Sequence, residues 1–480
     1  MIQRWELAKP WTEVLGMPLH AVVLAAGLGK RMKSGRHKTV HPVCGKPMIL
    51  YAMDLIERLA ADRTVVVVGH EAEQVRRIVG ARAAFALQEE QLGTGHAVLQ
   101  AEPLIGGEDG TTLVLYADMP LLTDDTVRRL VDTHRRSGAA VTVLSAVVDD
   151  PTGYGRIVRD ASGRLAAIVE EKDCSESERA VREINTGVYC FDNRKLFAAL
   201  RRVTNRNAQG EYYLTDVIGI LRGDGETAEV VTAADPAEAA GVNDRIGLAE
   251  AEALMRRRIN RRHMLEGVTL IDPETTYIEA DVRIGRDTVI WPGCVLRGRT
   301  VIGEECEIGP QADIADSVVG RGSKVIRSVL AEAETGENVS IGPFAYLRPG
   351  TKLADGVKVG DFVEIKNASV GTGSKVPHLS YVGDAEIGAG VNIGCGVITA
   401  NYDGVAKHRT VIGDGAFIGS NSNLIAPVTV GRNAYVVAGS TITSDVGDDD
   451  LAIARSRQVN KPGYAKVLRA RIQAKNKKTE

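Results

Sequence analysis

The chain has 480 residues, of which 44% are hydrophobic and 25% charged, with a formal net charge of −3. That length exceeds one ordinary core and implies two to four domains at roughly 100–200 residues each; the apolar content excludes a disordered chain, and the balanced charge excludes a global field for nucleic acid or anionic membrane. There is no run of about 18 apolar residues to span a membrane, and the cysteines (Cys44, Cys174, Cys190, Cys294, Cys306, Cys395) form no CxxC pair, which disfavours a zinc ribbon or disulfide scaffold and points to a reducing cytoplasm.

Residues 1–16 lack the apolar core of a signal peptide, since Arg4, Glu6, Lys9 and Glu13 interrupt them. Met17, just before the first strand-like run, reads as the natural start, with 1–16 an extension. From there to about residue 233, strand patterns at 21–24, 64–68, 112–116 and 141–147 alternate with helical patterns such as 48–59 and 126–134. The alternation predicts a doubly wound α/β domain, whose ligands bind beyond the carboxyl ends of the strands. The glycine-rich segment LAAGLGKRM follows the first strand. It matches neither GxGxxG nor a Walker A loop, but its amides can approach phosphates beside Lys30, Arg31, Lys33 and Lys38. Asp118, in YADMPL at the end of a strand, is placed to hold Mg²⁺ against a phosphate; a turn or N-cap aspartate is the plain alternative.

Residues 236–263 read as one helix with a basic cluster (Arg256, Arg257, Arg258, Arg261, Arg262), taken as a solvated face. Beyond it, every sixth residue from Ile278 to Ile314 is aliphatic, seven in register, often followed by glycine. The register breaks, resumes at Ile341 and returns again at Ile412. A six-residue period fits no α-helix and predicts a parallel β-helix, in keeping with 51 glycines and only 4% aromatics. His378 and His408 fall in this region thirty residues apart, five hexads, so they do not stack in three-hexad coils, and zinc is disfavoured. The basic tail beyond Lys461 reads as a solvated, frayed end.

LAAGLGKRM with Lys38, QEEQLGTGHA, YADMPL, GYGRI, EINTGVY and NAQGEYYLTD, in that order and ahead of the hexad repeat, resemble the bacterial bifunctional N-acetylglucosamine-1-phosphate uridylyltransferase/glucosamine-1-phosphate acetyltransferase. The resemblance runs from about Met17 to Arg455. It implies a uridylyltransferase domain at 17–245, a linker helix at 246–266, a left-handed β-helix acetyltransferase domain at 267–457 and a tail at 458–480. In the first domain it implies that Leu24, Ala25, Ala26 and Gly27 line the nucleotide, that Gln88, Gly93 and Thr94 read uracil, and that Arg31 and Lys38 meet the phosphates. Gly155, Glu170 and Asn185 would hold the sugar, with Tyr116 and Ala117 bordering it, and Asp118 and Asn243 would ligate Mg²⁺. Nucleotidyl transfer needs positioning and charge neutralisation rather than a covalent nucleophile.

In the second domain the resemblance implies a homotrimer that transfers acetyl from acetyl-CoA, with His378 as general base. Arg348, Lys366, Tyr381 and Asn392 would contact the sugar phosphate, and Cys395, Asn401, Tyr402, Ser420, Ala438 and Arg455 the coenzyme. Two positions depart from the family pattern: Lys30 stands where Thr is frequent, and Cys395 where Ala is common. The implied partners are small molecules, without nucleic acid or membrane. The alternatives are a monofunctional sugar-1-phosphate nucleotidylyltransferase with a structural β-helix, and a trimeric scaffold or sugar-nucleotide sensor.

Overall fold

Alternate residues of the first apolar run enter different cores. Ala21, Val23 and Ala25 pack on one face of the sheet, and Val22, Leu24 and Ala26 on the other. Both faces are therefore covered, which is why the strand reads as a continuous apolar run rather than an alternating one. The computed structural model describes residues 16–27, 29–69 and 71–476. Residues 1–15 of the expected extension, Leu28 of the glycine loop, and Lys477 and Lys478 of the tail lie outside the described residues. The chain forms two units: one runs through Arg261 and includes Ile278–Ala280, and the other comprises Arg262–Tyr277 and the chain from Asp281 onward.

The first unit holds a nine-stranded sheet: β1 (Leu19–Ala25), β2 (Arg63–Val68), β3 (Ala84–Leu87), β4 (Thr111–Tyr116), β5 (Val141–Val147), β6 (Arg156–Arg159), β7 (Leu165–Val169), β8 (Glu183–Asp192) and β9 (Ala228–Thr232). The order is β9-β5-β8-β4-β1-β2-β3, with β6 and β7 a ribbon on β8. The sheet is parallel except that β8 runs antiparallel to β4, β5 and β6, and β7 to β6. The periodicity located β1, β2, β4 and β5. It passed over β8, whose EINTGVYCFD sequence contains Asn185 and Gly187 and whose pairing with β5 shifts register between Asn185 and Tyr189. Helix α1 (Asp124–Ser137) shows the local code plainly. Thr123 caps it by accepting from Thr126 N, Asp124 and Asp125 fill the first turn, Arg135 and Arg136 the last, and Gly138 closes it in the left-handed conformation.

His134 on α1 is buried against Thr142 Oγ1 at 3.0 Å, and burial lowers its pKa to about 4. Its folded pKa is depressed, so the associated stability is full above pH 6.5 and is lost as pH falls toward 4, to a total of about 3 kcal/mol. Urea unfolding of the whole chain, followed by helical ellipticity at pH 7 and near pH 4.5, should show a smaller pH difference for His134→Asn than for the parent. An equal difference would contradict this assignment.

The expected helix over 236–263 is interrupted. A short 3-10 turn (Pro236–Ala239) precedes an extended stretch, and α2 (Arg245–Leu265) starts afterwards. The extended stretch is docked by Val242 N donating to Asp118 O at 2.9 Å. Asp244 Oδ1 then accepts from Ile246 N and Gly247 N, both at 3.0 Å, and so starts α2. The break is what delivers Asn243 to the end of β4.

The second unit winds through three parallel sheets of eleven, ten and nine strands, each coil giving one strand to each sheet. The inward aliphatic row does not break after Ile314. It continues through Val319, Val325, Leu330 and Thr335 to Ile341, all buried, because some sides of the coil have five residues instead of six. Buried hydroxyls tie the coils together. Ser374 Oγ donates to Gly388 O at 2.7 Å and accepts from Val391 N at 2.9 Å. The tail is more regular than expected: Tyr464–Asn476 form a helix with every side chain exposed.

Candidate functional sites

A cavity of about 460 Å³ opens at the carboxyl ends of β1 and β4. Fourteen of the sixteen residues expected in this domain's site line it; Arg31 and Ala117 do not. Arg31 is exposed on the 3-10 turn Lys30–Met32, and Ala117 is fully buried between Tyr116 and Asp118 in the chain. The glycine loop places Lys38 by leaving room for it. Gly29 has φ 56°, and a Cβ there would stand 2.8 Å from Lys38 Cβ.

Lys38 Nζ donates to Asp118 Oδ2 and, at 3.2 Å, to Asn243 Oδ1. Two oxygen donors 125 residues apart (243 − 118) thus converge on one cation. Gln88, buried, donates through Nε2 to Gly93 O and to His96 Nδ1, each at 3.1 Å, which leaves its Oε1 as an acceptor. Asn185 Nδ2 donates to Tyr189 Oη at 2.7 Å, and Thr215 Oγ1 donates to Glu170 Oε1 at 3.1 Å. Burial raises the Glu170 pKa; the Thr215 bond opposes it, and the carboxylates of Asp173, Asp216 and Glu211 add to it. Sequence reasoning assigned no role to Thr215 or Tyr189, although both lie in the quoted motifs.

In the second unit the expected residues, Asn392 excepted, fall on two edges of one sheet. Along one corner the coils stack Asp361, His378, Cys395, Ser420 and Ala438, tied by Leu379 N to Asp361 O (2.9 Å), Gly396 N to Leu379 O (3.0 Å), Asn421 N to Cys395 O (2.7 Å) and Gly439 N to Ser420 O (2.8 Å). Arg455 Cδ lies next along the row, 3.8 Å from where a Cβ on Gly439 would stand. Residues scattered over 95 positions (455 − 360) become one line.

The sheet beside that corner carries Tyr381, Arg348 and Lys366. Arg348 is bridged to Glu364 Oε1 at 2.6 Å, and Lys366 is held below its ordinary pKa by contact with Lys407. Lys407 was not foreseen; it sits on the loop between the strands Ile398–Ala400 and Thr410–Ile412. On the same far edge as Lys366, Asn401 donates to Asp384 Oδ2, Asn367 donates to its Oδ1, and Tyr402 is exposed. Two ammonium groups in contact beside a guanidinium form a place for an anion. Asn392 stands apart: its strand pairs with that of Lys375, on the neighbouring sheet. One chain therefore does not gather all these residues at one point.

Residues 21–212 match the MobA-like NTP transferase domain, and 332–367 and 409–444 match the bacterial transferase hexapeptide repeat; the coil is the left-handed β-helix of that repeat. The chain is 59% identical to the bifunctional protein GlmU of Brevibacillus brevis over 450 residues, which cover 94% of this chain and 98% of the relative. It is 57% identical to that of a Geobacillus species and 54% to that of Listeria monocytogenes, each over 94% of this chain and 98% of the relative.

Proposed function

The chain belongs to the bifunctional GlmU family, and from that premise we infer that it makes UDP-N-acetylglucosamine in two steps at two separate sites. The β-helix acetylates glucosamine 1-phosphate from acetyl-CoA, and the α/β domain joins the product to UTP with release of pyrophosphate. The observation that carries this reading is the double assembly: a cavity holding fourteen of the expected nucleotidyltransferase residues, and a separate corner stacking His378 with Cys395, Ser420 and Ala438. We assign 17–245 to the uridylyltransferase, 267–457 to the acetyltransferase and 246–266 to the linker between them.

In the α/β domain, Gln88, Gly93 and Thr94 read the base, Glu170, Asn185 and Gly155 hold the sugar, and Lys38 meets the phosphates. The sugar phosphate oxygen attacks the α-phosphorus of UTP, and the α–β P–O bond breaks to release pyrophosphate. Asp118 and Asn243 would hold Mg²⁺; their oxygens already converge on the ammonium of Lys38, and hard oxygen donors suit that ion. When bound it supplies charge neutralisation on the triphosphate.

In the β-helix, Arg348 and Lys366 receive the sugar phosphate, and Lys407 adds a third cation. His378 Nε2 takes a proton from the substrate ammonium. The freed amine attacks the thioester carbonyl, the C–N bond forms, and the C–S bond breaks as coenzyme A leaves and takes up one of the two nitrogen protons, the other staying on the amide. The coenzyme extends along Cys395, Ser420, Ala438 and Arg455. Assaying each half-reaction alone, coenzyme A thiol release without UTP and pyrophosphate release without acetyl-CoA, tests the assignment. Both should proceed; failure of the first alone would reduce the β-helix to a scaffold.

We assign the chain to a homotrimer. Beside His378 the corner carries Phe344, Phe362 and Leu379, 52%, 59% and 60% exposed, with the phenyl rings stacked at 5.5 Å. All three have positive φ, of 61°, 55° and 40°, a conformation bulky side chains rarely hold. An exposed apolar ridge of this kind suits a second copy. Light scattering should give three times the chain mass, with Phe362→Glu lowering it; a monomer at micromolar concentration would contradict the assignment. No helix among the described residues is long and apolar enough to cross a membrane, and we place the enzyme in the cytoplasm with its nucleotide substrates.

A further inference from the structure

We propose that Asp361 is a positioning residue for acetyl transfer, its carboxylate fixing the tautomer and orientation of the His378 ring. The proposal rests on reading His378 as the general base. His378 Nδ1 lies 2.8 Å from Asp361 Oδ1. An ionised carboxylate only accepts, so the proton resides on Nδ1 and the lone pair on Nε2.

The pairing is built into the coil. A strict eighteen-residue coil would set Gly360 opposite His378, whereas the strands Lys358–Asp361 and Lys375–His378 pair Asp361 with His378, seventeen residues apart. The missing residue comes from the five-residue side between Ile365 and Val370, both of which point inward. Gly360 permits the close approach, since a Cβ there would fall 1.7 Å from Pro377 O. Leu379 N then clamps the rung by donating to Asp361 O at 2.9 Å.

Stability does not account for the pair. Its side chains are 58% and 41% exposed, and exposed ion pairs contribute little to folding. The other charged groups on these two strands are the cations Lys358 and Lys375. The following strand presents neutral Asn392, the adjoining sheet presents the phenol of Tyr381, and the next coil along the corner presents the thiol of Cys395. Glu364, in register with Tyr381, is bridged to Arg348, so Asp361 is the carboxylate bonded to the ring, and the hydrogen bond from His378 holds it below the usual carboxylate range.

The test compares kcat and KM of Asp361→Asn, Asp361→Ala and His378→Ala in the full chain, by coenzyme A release, with uridylyl transfer as the folding control. Asp361→Ala should lower kcat roughly 10–100-fold, as loss of a group that orients a functional histidine does. Asp361→Asn keeps an acceptor for Nδ1–H and should lose less. In both, the ring loses the carboxylate that fixes it, so the loss should fall on kcat, with Asp361→Asn the partial rescue. KM for glucosamine 1-phosphate should hold. If both variants keep the parental kcat while His378→Ala is inactive, the inference falls and the base assignment stands. If His378→Ala retains acetyl transfer, both fall.

Discussion

His378→Ala is expected to lower acetyl transfer to glucosamine 1-phosphate by roughly 10²–10⁴-fold, the usual worth of a positioned base, while pyrophosphate release from UTP and N-acetylglucosamine 1-phosphate continues. The reason is chemical. At neutral pH the substrate nitrogen is an ammonium without a lone pair, whereas the thioester is already activated, so deprotonation is the step for which the protein must supply a group. His378 is exposed at the corner of the coil, next to Cys395 in the stacked row. Its ring makes no contribution to the aliphatic interior, and its loss leaves the β-helix intact. Steady-state rates for the two half-reactions on one preparation check this; equal loss of both would point to unfolding, and loss of neither would remove His378 from the mechanism.

The second large effect concerns the other site. Asp118→Asn is expected to lower uridylyl transfer by roughly 10²-fold, the share of a metal ion's several kcal/mol that one ligand charge would control at 1.36 kcal/mol per tenfold. The substitution retains an oxygen beside Asn243 but removes the charge that pairs with Lys38. The Mg²⁺ concentration for half-maximal rate should rise, and acetyl transfer should be unaffected. A variant with parental rate and Mg²⁺ dependence would show that Asp118 is a turn residue held by Lys38 and nothing more.

Much of this was legible in the sequence because backbone periodicity and buried area leave strong traces. The runs of β1, β2, β4 and β5 are apolar on both faces, and the inward row of the coil repeats every sixth residue. What escaped was set by tertiary context. Thr335 stands in the inward row where an aliphatic was sought, and the five-residue sides shift the period, so a strict count of six lost the register between Ile314 and Ile341. Residues 236–263 carry helical composition, yet Val242 bonds to Asp118 and Asp244 starts a new helix, which no local pattern announces. Most of the nucleotidyltransferase site was reached through resemblance, and the cavity gathers it. Arg31 was carried over equally well and stands outside the lining. Lys407 and Asp361 were missed because their significance lies in a neighbour on another coil, Lys366 and His378, that sequence spacing alone does not pair.

The most direct test of two active sites in one chain is a product mass spectrum after incubation with glucosamine 1-phosphate, acetyl-CoA, UTP and Mg²⁺. UDP-N-acetylglucosamine, formed only when all four are present, is the predicted product. N-acetylglucosamine 1-phosphate as the sole product, or none at all, would contradict the account.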